Sequence, residues 1–233
     1  MHKGKYTSSD KMSDLICDNY SLLMVMSRFG IALGFGDKTV GEVCEMQNVD
    51  CNTFLAVSNF ISNGECRYDD SDFDFSLVAM MDYLKNAHTY FLDFCLPSIR
   101  KKLIESIDCS SSNNIAILIL RFFDNYVNEV RRHMEYENAH VFTYVDKLLN
   151  GSDTGTFCIT KYADKHTQIG ATLNELKSVI IRYYPGNRCN NMLNSVLFDI
   201  FNCEQDLNTH CMVEDYLFVP AVACIERRMN NER

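Results

Sequence analysis

The chain of 233 residues, 47% hydrophobic and 23% charged, is long enough for one sizeable core and a small second unit. Its net charge of −9 argues against an electrostatic nucleic-acid binder and against an anionic membrane surface as the main partner. With only 3 prolines and 10 glycines, turn residues are too scarce for an all-β fold, so helices are favoured. No charge-free apolar run reaches the length of a membrane span, and the first residues lack the apolar segment of a signal peptide.

The 11 cysteines form no C-x-x-C pair, and their number is odd. Without a secretion signal, we expect a cytoplasmic protein with reduced thiols, most of which act as small buried hydrophobic groups. The spacings favour neither a zinc knuckle nor a redox dithiol.

The N-terminal helices are predicted from local signals. An apolar pattern predicts a helix from Asp10 towards Phe29, and Gly30 should break it. Residues 39–42 have the pattern of a capping box, which opens a short helix. Asp50 or Asn52 can cap the next helix, because both side chains accept hydrogen bonds from backbone N–H groups.

Residues 65–75 are acidic and poor in aliphatic side chains, so we expect them to link a small helical domain, residues 1–64, to a second domain, residues 76–233. The second domain carries four long amphipathic patterns, which predict an antiparallel four-helix bundle and hence an all-α fold. The first predicted helix begins near Ser76 and should be kinked or interrupted at Pro97. The second runs from about Asn114 to Leu149, and the third begins near Asp164. The fourth runs from about Cys189 to Phe218.

Two H-x-x-x-E motifs lie in different predicted helices, His133 with Glu137 and His210 with Glu214. Residues four apart lie on one helix face, so an imidazole nitrogen and a carboxylate oxygen can converge on one metal ion. A single motif of this kind is more often a solvated pair on a helix surface. Two motifs instead suggest two helices of a bundle that supply matched halves of a dinuclear site.

The other two predicted helices each contain a histidine, His88 and His166, as a site in the middle of a four-helix bundle requires. Four imidazoles and two carboxylates form a nitrogen and oxygen ligand set that suits iron first, and also manganese or zinc. A carboxylate has two oxygens and can bridge two ions. His140 is three residues from Glu137, so an outer-shell role stays open, although a structural histidine is the favoured interpretation.

With these motifs the chain resembles the hemerythrin-like di-iron proteins of the "repair of iron centres" type, over nearly its whole length. The family pattern H-x-x-x-E-E-x-x-L-F is similar to HMEYENAHVF at residues 133–142. Two further ligand-helix patterns of the family are similar to DKHTQIGATLNELK (164–177) and DLNTHCMVEDYLFVPA (206–221). Its small N-terminal helical domain is similar to FGIALGFGDKTVGEVCEMQNVD (29–50).

The resemblance implies a cofactor of two non-haem iron ions, bridged by an oxo or hydroxo group. The implied metal ligands are His88, His133, His166 and His210, with Glu137 and Glu214 as bridging carboxylates. The family is associated with repair of iron–sulfur clusters damaged by nitric oxide or oxidants in stress responses, through iron donation or NO reduction. The expected partners are therefore NO, O₂ and damaged iron–sulfur proteins, while a homodimer and a di-iron NO reductase activity are left open.

The chain departs from the family pattern at several positions. Gly34 and Phe35 stand where the N-terminal domain of the family carries adjacent cysteines, so the resemblance implies no thiol chemistry there. Lys165 precedes His166 where an acid is usual, and Asn138 replaces the second acid of the family motif. The six implied ligands are all present.

Two other functions stand as alternatives. One is a non-enzymatic di-iron sensor or carrier of O₂, NO or iron that signals through the N-terminal domain. Turnover of NO under reducing conditions would separate it from a repair enzyme. The other is a metal-free helical interaction module, which iron analysis of protein from iron-replete cells would exclude.

Overall fold

The structure, a computed structural model, describes residues 5–64, 73–107, 114–152, 157–159, 169–184 and 191–231. Within these ranges the regular elements are helical, apart from an isolated β-bridge between Lys11 and Thr39, so the all-α prediction is confirmed. The α-helices are α1 (Met12–Asp18), α2 (Leu22–Arg28), α3 (Val40–Met46), α4 (Cys51–Asn63), α5 (Leu77–Thr89), α6 (Leu96–Ser106), α7 (Asn114–Tyr136), α8 (Phe142–Leu149), α9 (Ile169–Tyr183), α10 (Asn191–Val213) and α11 (Val219–Asn231). Three π-helical segments, Tyr90–Cys95, Glu137–Val141 and Glu214–Phe218, join α5 to α6, α7 to α8 and α10 to α11.

The chain divides into two compact units. One contains α1 to α5 as far as Ala87, together with the chain from Thr209 onwards, and the other extends from His88 to Asn208. The division into domains at residues 1–64 and 76–233 stays a prediction. Most of the predicted linker, residues 65–72, lies outside the described ranges.

In the first unit, aromatic and polar contacts hold the end of α2 against α5. Phe29 contacts Phe54 edge-on with ring centroids 5.6 Å apart, and it contacts Tyr83 at 4.9 Å. The guanidinium of the buried Arg28 lies 5.9 Å from the Tyr83 ring centroid. Asn86 donates a hydrogen bond of 2.8 Å to the Arg28 carbonyl. The end of α2 is therefore packed against α5 by contacts between residues far apart in sequence, which a local sequence pattern does not predict.

The local capping signals form as predicted. Thr39 and Glu42 make the reciprocal hydrogen bonds of a capping box at the start of α3. The Asp50 side chain accepts a hydrogen bond from the Thr53 backbone N–H and so caps α4. Gly30 has a φ of +72°, a conformation that favours glycine, and it follows the end of α2.

The single helix predicted from residue 10 to residue 29 is wrong, because the chain forms two helices there. Asn19 separates α1 from α2: its side-chain oxygen accepts from the Ser21 backbone N–H at 3.1 Å, and its amide donates to the Ser62 hydroxyl at 3.1 Å. Side-chain hydrogen bonds of this kind compete with helical ones. Ser62 lies 43 residues away, so the interruption depends on tertiary structure that a local pattern does not contain.

Two of the π-helical segments end shortly before a proline. Pro97 and Pro220 each follow the last π-helical residue, Cys95 or Phe218, by two positions. Proline lacks an N–H and its ring clashes with the carbonyl four residues earlier in an α-helix. The wider i→i+5 hydrogen bonding of a π turn accommodates the ring. The chain therefore stays helical through Pro97, where the sequence predicted a kink or an interruption. The last predicted helix was expected to end at Phe218, but α11 continues the helix to Asn231.

Ion pairs fix neighbouring helices in the second unit, where α7 packs against α9. Arg100 on α6 donates two hydrogen bonds to Asp124 on α7, at 2.7 and 3.1 Å. The largely buried Lys177 on α9 pairs with Glu204 on α10, and its ammonium lies 4.7 Å from the centroid of the Phe201 ring. These contacts restrain α9 against α10 independently of any bound metal ion.

No helix in the described ranges is long and apolar enough to cross a membrane. The eight cysteines in the same ranges form no disulfide, and Cys44, Cys203 and Cys224 are buried. Burial raises the pKa of Cys44 to about 12, so that thiol stays protonated and acts as a small apolar group.

Candidate metal centre

The first half of the candidate site surrounds the Glu137 carboxylate, which is 0% exposed. Its Oε1 lies 2.8 Å from Nε2 of His133, four residues earlier on α7. Its Oε2 lies 3.2 Å from Nε2 of His88, on α5. One carboxylate therefore contacts imidazoles from two different helices, one through each oxygen.

The imidazole of His88 is also held on its other edge. Nδ1 donates a hydrogen bond to Oδ1 of Asn138 at 3.0 Å. The Phe142 ring stacks on the imidazole, with the two ring centroids 5.6 Å apart and the planes inclined at 23°. These contacts leave Nε2 as the nitrogen directed at Glu137.

The second half of the candidate site is the His210–Glu214 pair. Nε2 of His210 lies 3.3 Å from Oε1 of Glu214, as expected for residues four apart on one helix face. Both side chains are buried. The surface-pair interpretation of this motif is therefore wrong, because a solvated i,i+4 pair would be exposed.

Both glutamates are the first residues of π-helical segments, Glu137–Val141 and Glu214–Phe218. Each H-x-x-x-E motif therefore keeps normal α-helical spacing, and the wider turn begins at the carboxylate. In a π turn, residue i+5 lies one turn beyond residue i. For Glu137 that residue is Phe142, the aromatic side chain that stacks on His88. Single π turns within α-helices are frequent at functional sites.

Each unit contains buried side chains of the kind that bind metal ions. His88 and Glu137 contact each other in one unit, and His210 and Glu214 contact each other in the other. Buried carboxylates are costly unless a cation or a hydrogen-bond donor compensates their charge. A carboxylate beside an imidazole provides the nitrogen and oxygen donors that iron, manganese or zinc accept. Each buried pair could therefore supply ligands to a metal ion.

The predicted ligands fall into three classes in the structure. His88 contacts Glu137, His210 contacts Glu214, and His133 contacts the same Glu137 carboxylate from a partly exposed position. His166 lies outside the described residues. The assignment of all six residues as metal ligands stays a prediction.

The sequence favoured a buried or partly exposed structural histidine at position 140, and the exposure of His140 corrects that prediction. The His140 ring stacks on Tyr136 at 4.5 Å between centroids, and its Nδ1 lies 3.1 Å from the Tyr136 carbonyl.

Sequence reasoning missed two features of the site. The contact between Asn138 and His88 was not predicted, although the replacement of an acid at position 138 was visible. The π-helical segments were also missed, and the Leu96-Pro97 and Val219-Pro220 pairs are the one signal that could have indicated two of them.

Comparison with known proteins agrees with this geometry. The family model described as "Hemerythrin HHE cation binding domain" matches residues 79–222, well over half of the chain. The chain is also 18% identical to the "Iron-sulfur cluster repair protein ScdA" of Staphylococcus haemolyticus (strain JCSC1435). The similar region is 218 residues long and covers 91% of this chain and 96% of that protein. The resemblance noted in the sequence is thereby confirmed.

Proposed function

This chain belongs to the hemerythrin HHE cation-binding domain family, and from that premise we propose that it is a non-haem di-iron protein that repairs iron–sulfur clusters. The buried pairs His88–Glu137 and His210–Glu214 carry the proposal, because buried carboxylates beside imidazoles need a cation. His133 and His166 complete the proposed ligand set. The name of the similar staphylococcal protein supports cluster repair as the activity.

The geometry around Glu137 supports a bridging role for its carboxylate. Each of its oxygens faces an imidazole Nε2, at 2.8 Å for His133 and 3.2 Å for His88. A carboxylate placed in this way can bind two ions at once, whereas each histidine can bind one. We assign Glu214 the same role, because its motif, burial and π-helical context match those of Glu137.

Bound iron would supply one-electron redox chemistry and affinity for NO and O₂. The protein's own contribution is to hold and shield the ions. Phe142 stacks on His88, and the buried positions of both glutamates exclude bulk water from the carboxylates. His133 is the partly exposed member of the proposed ligand set among the described residues.

The proposed setting is the cytoplasm of a cell under nitrosative or oxidative stress, with NO, O₂ and damaged iron–sulfur proteins as partners. The odd number of cysteines and the lack of any C-x-x-C pair support a reducing compartment. Both iron donation and reduction of NO would serve cluster repair.

Iron content is the first test. We expect protein purified from iron-replete cells to contain close to two irons per chain, with a charge-transfer band in the near ultraviolet, because the proposed ligands suffice for two ions. Elemental analysis and an absorption spectrum measure both quantities. A preparation that contains zinc and takes up no iron on reconstitution would contradict the proposal, and a metal-free preparation would favour the interaction module.

Reaction with NO separates repair from the alternative of a di-iron sensor or carrier. The proposed site has four histidine ligands for two ions, which leaves exchangeable positions and favours reaction or release over storage. We therefore expect the reduced protein to consume NO catalytically and to oxidise rapidly in air, as followed by stopped-flow absorption. Metal-free protein is the control. A stable, reversible O₂ adduct without NO turnover would support the carrier.

A further inference from the structure

Asn138 directly follows Glu137, and the two side chains contact opposite nitrogens of the same imidazole. Glu137 Oε2 lies 3.2 Å from His88 Nε2, and Asn138 Oδ1 lies 3.0 Å from His88 Nδ1. His88 is 2% exposed, whereas Asn138 is exposed. Contacts therefore lead from the exposed amide of Asn138, through the imidazole of His88, to the buried carboxylate of Glu137.

The contact decides which nitrogen of His88 carries the proton. An amide oxygen accepts hydrogen bonds, so the contact at 3.0 Å places an N–H on Nδ1. A neutral imidazole has a single N–H, which leaves the lone pair of Nε2 directed towards Glu137. Stacking by Phe142 restrains the ring in this orientation. His88 is thereby held in the form that binds a metal ion through Nε2.

The kind of acceptor at position 138 affects how firmly His88 holds an ion. A carboxylate acceptor draws the Nδ1 proton towards itself and makes Nε2 a stronger ligand, whereas a neutral amide does so less. Altering the hydrogen-bond partner of a ligand histidine changes metal affinity by about 10- to 100-fold. In this chain the weaker acceptor, an asparagine, is present.

We propose that Asn138 is a positioning residue that orients His88 for metal binding while keeping the ion on His88 easy to release. The proposal rests on the proposed function, since it requires His88 to bind iron, and it narrows that function towards iron donation. A neutral acceptor orients the ring without strengthening its bond to the ion. The exposed position of Asn138 also places this edge of the site next to solvent, where an accepting group can approach.

Iron transfer from the full-length protein tests the release. The protein is loaded with ferrous iron alone, and transfer to the chelator ferrozine is followed by absorption. We expect transfer to be about tenfold slower in Asn138→Asp and severalfold faster in Asn138→Ala. Asn128→Asp makes the same chemical change at another exposed position of the helix and should match the wild type. Equal rates in the wild type and both position-138 variants would overturn the proposal.

Nitrogen-15 spectra of the metal-free protein test the orientation without relying on iron. With the His88 signals assigned by His88→Gln, Nδ1 should carry a hydrogen-bonded proton in the wild type and in Asn138→Asp, whether or not Nε2 beside Glu137 is also protonated. In Asn138→Ala this proton loses its acceptor, so the Nδ1 signal should shift. If the wild type takes up no iron, the proposed function fails, while this experiment still decides whether Asn138 orients His88. An unchanged Nδ1 signal in Asn138→Ala would show that it does not.

Discussion

Replacing Glu137 with alanine should remove both of the proposed iron ions from the protein, not one of them. The two oxygens of this carboxylate face His133 and His88 from two helices, so each proposed ion loses a ligand in the same substitution. We expect iron, measured by elemental analysis, to fall from close to two per chain to near zero, because affinity drops by more than about 100-fold. Glu137→Gln should also lose both irons, because it removes the negative charge of the carboxylate. Since glutamine keeps the volume of the side chain, this variant leaves no cavity.

Glu135→Ala is the matched control for this loss. Glu135 is an exposed acid two residues earlier on α7, so its removal should leave the iron content unchanged. His166→Ala provides a second comparison, because loss of one histidine weakens one ion and should leave about one iron per chain. Full occupancy in Glu137→Ala would rule out the bridging role of the carboxylate.

Removing the metal should lower the melting temperature of the protein by roughly 10 °C, if iron is present at about a thousand times its dissociation constant. Glu137 and Glu214 are 0% and 1% exposed. Without a cation these carboxylates lack compensation in the folded protein, whereas in the unfolded chain water solvates them. Thermal unfolding followed by circular dichroism, with and without a chelator, measures the shift.

The Glu137→Ala variant controls for chelator effects unrelated to the site. Because this variant should hold no iron, the chelator should leave its melting temperature unchanged. Identical melting temperatures of wild-type protein with and without iron would show that the buried acids are compensated by the protein alone. The metal-ion interpretation of the cluster would then be wrong.

Features that depend on residues close in sequence could be predicted. The capping box of Thr39 and Glu42 formed as expected, because both partners lie within one helical turn. The pairing of His210 with Glu214 was likewise predictable, because four-residue spacing on a helix brings the two side chains together.

Features that depend on distant residues could not be predicted from local patterns. The break between α1 and α2 requires Ser62, 43 residues from Asn19. The Asn138 contact requires His88, which lies 50 residues away on another helix. The sequence showed that position 138 departs from the related pattern, but the partner of its side chain becomes visible only in the folded structure.

The π-helical segments have a consequence for changes in chain length. An insertion or deletion in an α-helix rotates every residue beyond it by about 100° and turns a buried face towards solvent. A π turn already contains one residue more than the α-helical pattern around it. Deletion of one residue within Glu137–Val141 would return this stretch to α-helical hydrogen bonding, while α7 and α8 keep their buried faces. The π turns beside the candidate ligands are therefore the places where this protein can lose a residue with least damage to its core.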